Sequence, residues 1–204
     1  MIHQTSLELF RYWNRLRAGR AAPKRSEVSP ADISSVLPDA FILGVAKATV
    51  FRLAGTRLCA TYGRELTGLP FRSLFIEDAQ RLADRVVSGV AAEKSVAVIV
   101  FEAVSDSGRS LAFEMLLLPL DNGESQQCLG VVSPRDRPFW LGADPIKQAT
   151  IISIRVIDSD LVPMFVKNRP ALETAQAPLL FNRPVPKAAR RAGHLVVLPG
   201  GRDG

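Results

Sequence analysis

The sequence predicts an α+β fold: a five-stranded antiparallel sheet with helices on one face. Three observations predict it. Two short segments rich in β-branched and aromatic residues, "AFILGVA" and "TVFRLAG", lie close together between residues 40 and 55. Three longer ones, "SVAVIVFEAVS", "RSLAFEMLLLPL" and "QCLGVVSP", follow between 95 and 134, parted by the tight-turn signals Asp106-Ser107-Gly108 and Asp121-Asn122-Gly123. Between the two groups the apolar residues recur at helical spacing.

The first element is a helix over "TSLELFRYWNRLRAG". Thr5 and Glu8 have capping-box spacing, and Gly19 is a natural stop. Leu9, Tyr12, Trp13 and Leu16 make an apolar stripe, with Arg11, Arg15 and Arg17 largely facing away. The sheet's second face needs cover, and this helix is expected to supply it for its own chain or for a partner's. Its four stripe residues are therefore the candidate dimer interface. "RAAPKRSEV" reads as a linker. Ser29 and Pro30 then read as N-cap and first residue of a short turn ending near Leu37-Pro38, which closes an N-terminal helical cap over residues 1–38.

Within the core expected over 39–135, the first two strands form a hairpin around Lys47 and Ala48. Strand alternation places Phe51 and Leu53 on one face and Arg52 on the other. Thr56 is expected to cap "RLCATYG", Gly63 to end it, and "LPFRSLF" to connect to a longer helix, "IEDAQRLADRVVSGVAA". There Ala79, Leu82, Ala83, Val86 and Val90 share a face, and Glu77 and Arg81 have i,i+4 spacing. In the extension over 136–162, "ATIISIRVID" either adds a sixth strand or packs alongside. Residues 163–204, with six prolines among alanines and basic residues, read as a flexible tail. Its segment "HLVVLPGG" could add as a strand to a sheet edge.

Composition narrows the function. An apolar fraction of 47% and a charged fraction of 23% over 204 residues suit a soluble domain with extensions. No apolar run approaches the roughly 20 residues a membrane helix needs, and no export signal opens the chain, so a cytoplasmic protein is expected. Cys59 and Cys128 match no metal or redox spacing. Of the net charge of +6, +5 falls after residue 162, where seven basic residues face Glu173 and Asp203. The folded part is thus nearly neutral. Without a helix-turn-helix or interleaved aromatics, nucleic acid is not the expected partner; the alternative is a ligand-free interaction scaffold whose basic tail contacts a partner, nucleic acid or an anionic surface. No phosphate-loop or dinucleotide motif occurs, nor any H-E-x-x-H, G-x-S-x-G or Cys-His arrangement, so no catalytic residue and no metal site is expected.

The pieces "LFRYWNRLRAG", "FRLAGTRLCATYGRELTG", "EMLLLPL" and "CLGVVSP", in the order strand-strand-helices-strand-strand-strand, resemble the bacterial PAS_5 family of PAS domains. The resemblance spans residues 6–135. It implies a PAS sheet whose middle strands line a small cavity, in a signalling or regulatory protein that works by protein–protein contact, expected here as a homodimer with an unidentified signalling partner. Candidate walls of that cavity are Phe51, Arg52, Leu53, Leu58, Tyr62, Phe101, Phe113 and Leu129. The competing reading is that these side chains simply fill the core. Arg52 is read either as an anion-binding residue or as the partner of Glu65 in an ion pair. Thr56, Arg64 and Glu65 form the accompanying polar motif. "YGRELTG" lacks the cysteine that flavin-binding PAS relatives carry there, and the only histidines, His3 and His194, lie outside the expected core, which disfavours haem. The cofactor, if one is bound, is left unidentified.

Overall fold

The computed structural model describes residues 3–123 and 125–157, together with the short paired segments 172–173, 190–192 and 195–197. It divides into two compact units, Met1–Thr174 and Ala175–Gly204. The tail expected to be flexible lies mostly outside the described residues. In the second unit Arg190–Ala192 pairs antiparallel with Leu195–Val197, so the apolar "LVV" segment pairs with its own sequence neighbour.

The first unit is one antiparallel sheet between helical layers. Strands β1 (Ala40–Val45), β2 (Thr49–Ala54), β3 (Val96–Ser105), β4 (Ser110–Leu120), β5 (Gln126–Pro134) and β6 (Ile146–Ile157) lie in the order β2-β1-β5-β4-β3-β6. The five expected strands are all present, and the isoleucine-rich segment after them is a sixth, paired along β3 from Val96 to Ser105. Leu172–Glu173 adds two residues outside β6. Helices α2 (Thr56–Thr61) and α3 (Glu77–Glu93) cover one face, and α1 (Gln4–Arg17) covers the other.

Two cores result, and β4 explains why the pattern of its sequence is not alternating. Phe113, Met115 and Leu117 enter the core under α2 and α3, while Leu116, Leu118 and Leu120 enter the one under α1. A strand buried on both faces reads as a continuous apolar run. Pro119 sits in β4 beyond the last pairing with β3, so its missing N–H interrupts no bond on that side. Its carbonyl accepts a hydrogen bond of 2.8 Å from the indole Nε1 of Trp13. Leu9, Tyr12 and Trp13 are thereby buried on the sheet of their own chain, with Leu16 half-buried beside them.

Helix ends differ from the expected caps. His3, not Thr5, caps α1: its Nδ1 accepts from the Thr5 amide at 3.3 Å, which places the helix start two residues before the capping-box spacing. The helix ends at Arg17 with Ala18, φ +46°, as its left-handed C-cap, and Gly19, φ +80°, follows directly. Gly55 is the N-cap of α2, and Thr56 is an exposed first residue whose side chain makes no capping bond. Ser29 precedes a 3-10 turn, Pro30–Ile33, also without a side-chain cap bond. The segment read as a linker is structured: Arg25 donates its amide to the Asp121 carbonyl at 2.8 Å, and Arg20 pairs with Glu27 at 2.8 Å. On α3 the Glu77–Arg81 pair does not form among the described residues; Arg72 and Asp84 approach at 3.9 Å instead.

Candidate functional site

The first strand pair contains a bulge that redistributes the expected cavity walls. Leu43 pairs with Phe51 and Ile42 with Leu53, so Arg52 has no opposite residue. One extra residue reverses the alternation beyond it. Phe51 therefore enters the helix-side core, whereas Leu53 emerges on the opposite face, 40% exposed, beside Val28, Ile33, Ile42 and Leu129. Leu129 also belongs to the α1-side core. Both thus leave the expected cavity. Arg52 is exposed and lies across Gly44, where a Cβ would be 2.6 Å from its Nε. Its expected pairing with Glu65 does not form among the described residues. Glu65 accepts instead from the Thr67 amide at 3.0 Å and from the Cys59 thiol at 3.6 Å, and the Thr67 bond holds its carboxyl below the usual range. Arg64 is exposed, as are Thr56 and Glu65, the other members of the polar motif.

Five wall candidates do come together: Phe51, Leu58, Tyr62, Phe101 and Phe113 all lie in the helix-side core. A chain of phenylalanine rings fills its middle. Phe41 meets Phe51 at 5.6 Å between centroids, Phe51 meets Phe71 at 5.9 Å, and Phe71 meets Phe75 at 5.6 Å. Phe75 meets Phe101 at 5.8 Å, and Phe101 stacks on Phe113 at 5.3 Å. Such spacings are those of favourable aromatic pairs. Tyr62 is buried among them, and burial raises its phenol pKa.

Space opens at the Phe113 end of the ring chain. A cleft of about 200 Å³ lies between α2, the end of β5 and the connection that follows it. Its floor is apolar, made by Leu58, Phe113, Val132 and Leu141. Its rim is charged. Asp39, from the 3-10 turn Leu37–Asp39 that feeds β1, accepts from Arg57 Nη1 at 2.7 Å, and Arg137 Nη2 stands 3.8 Å from the same oxygen. The carboxylate is 7% exposed, the two arginines 44% and 54%. Burial pushes the Asp39 pKa up, and Arg57, Arg137 and His3 pull against it. Sequence reasoning found Leu58 and Phe113 here but missed Asp39, Arg57 and Arg137. They come from three separate elements, and no local spacing joins them. A second recess, of about 340 Å³, opens on the opposite face between His3, Glu114, Ser133 and Arg135.

Among the described residues no group of three or more metal-ligating side chains occurs, and no helix is long and apolar enough to cross a membrane. The helices clasp an antiparallel sheet and the cleft opens at their rim, an arrangement consistent with a PAS-like fold. The family model for PAS_5, described as a PAS domain, matches residues 1–133, and the chain belongs to that family. No curated protein matches it.

Proposed function

We propose that this protein is a non-enzymatic regulatory module that acts by protein–protein contact, with self-association into a homodimer as its first step. The observation that carries this reading is the filled ring chain from Phe41 to Phe113. An interior packed by six phenylalanines supports recognition at the surface over recognition around a large enclosed ligand. The surface offers isolated apolar side chains for contact: Leu53 on the β2 edge and Phe139, 92% exposed, after β5. The α1 stripe is already buried on its own sheet.

Light scattering coupled to gel filtration tests the reading on the full chain. The expected result is a mass twice that of one chain at micromolar concentration, returning toward one chain when Leu53 and Phe139 are both changed to Glu. A monomeric wild type whose native mass spectrum carries a tightly held organic molecule would overturn it in favour of an internal-ligand sensor.

A further inference from the structure

We propose that the Asp39–Arg57–Arg137 cleft binds a small organic monocarboxylate, its carboxylate held by the two guanidiniums and its apolar body lying on Leu58, Phe113 and Val132. The charge count sets the sign of the ligand. Two cations surround one carboxylate, so the rim carries one uncompensated positive charge. Arg57 gives Asp39 one short bond out of the five donors of its fork. At 3.8 Å Arg137 is beyond hydrogen-bond distance of Asp39, and no hydrogen bond engages it among the described residues. Both guanidiniums are about half exposed and line the same cleft. Planar guanidinium donors match a planar carboxylate in a bidentate fashion.

Shape and polarity set the rest. Inorganic phosphate would bring a second negative charge beside Asp39 and leave the apolar floor uncovered. A neutral apolar molecule would cover the floor and leave the guanidiniums unpaired. A monoanion with a short apolar body satisfies both halves. The volume of about 200 Å³ falls below the roughly 300–1,000 Å³ of drug-sized sites, which limits the body to about one ring or a branched chain. Asp39 orients the Arg57 fork, while Arg137 stands on the connection between β5 and β6. An occupant bridging the two would tie that connection to α2.

The test is a chemical-shift titration of the full isotope-labelled chain with four probes: sodium benzoate, sodium acetate, benzyl alcohol and inorganic phosphate. The expected result is saturable benzoate binding, with the largest shifts at Arg57, Thr61 and Gly142. Acetate, lacking the body, and benzyl alcohol, lacking the charge, are each expected at least about tenfold weaker, as is phosphate. Arg137→Gln, a half-exposed change, should weaken benzoate about tenfold without altering the melting temperature. Arg137→Lys should recover part of that loss. Failure of benzoate to saturate, equal binding of acetate and benzoate, or undiminished binding by R137Q would overturn the proposal. The titration does not depend on self-association, so light scattering and chemical shifts can fail separately.

Discussion

Trp13 holds α1 to the sheet in two ways at once. Its ring is fully buried, and Arg17 lies over it at 5.5 Å, while its Nε1 satisfies the Pro119 carbonyl. Trp13→Ala removes the packing and leaves that carbonyl unpaired. The expected loss is about 3–5 kcal/mol by chemical denaturation. Trp13→Phe keeps most of the ring and should lose only about 1–3 kcal/mol, the usual penalty for an orphaned buried polar group. Equal melts for W13A and wild type would contradict the packing described. Gly55 is as exacting for a different reason. Its φ of −69° is open to any residue, but an added Cβ would stand 2.3 Å from the Pro38 carbonyl oxygen and 2.4 Å from that of Leu37. Those are backbone atoms and cannot swing away. Gly55→Ala is therefore expected at or beyond the upper end of the about 1–3 kcal/mol that overpacking costs. The glycine of "LAGT" serves close backbone approach.

At the scale of elements, the connection from β5 to β6 is pinned by Asp144. Its carboxylate accepts from Ser105 Oγ at 2.7 Å and from the Ser107 amide at 3.2 Å, with Arg109 at 3.6 Å. The Ser105 hydrogen bond, the largest influence, holds the Asp144 pKa below the usual carboxylate range. A carboxyl with a lowered folded-state pKa adds stability that is full above the unfolded value of about 4 and fades as pH falls through the folded one. Asp144→Asn should therefore melt below wild type at neutral pH. The gap should narrow as pH drops below about 4. A gap independent of pH would mean that the charge has no part in the pin. Elements whose cause is local were legible in the sequence: the α1 stripe, the turns at Gly108 and Gly123, and the strand content of "MLLLPL". The bulge at Arg52 was not, because it depends on how β2 registers against β1. That single inserted residue sent Leu53 to the wrong expected face. Asp39, Arg57 and Arg137 were illegible for the same kind of reason: only tertiary folding brings the two arginines within 4 Å of Asp39.

Across the whole first unit, the sheet is the shared wall of two apolar compartments. β1, β3, β4 and β5 give side chains to both, so neither helical layer can leave without exposing the strands beneath it. Loss of α1 and loss of α3 are thus expected in one cooperative transition, with tryptophan fluorescence and far-ultraviolet dichroism giving coincident midpoints. Separate midpoints would mean that the two compartments melt independently.

That shared wall also contains Cys128, on β5 next to the middle of the sheet, fully buried and with its thiol pushed up to about 12 by burial. Cys59, on α2, is only partly covered. Alkylating reagents should modify Cys59 within the folded chain and reach Cys128 only when the strands part. The chain thereby has a built-in clock: the rate at which its second sulfur is capped measures how often the entire sheet opens.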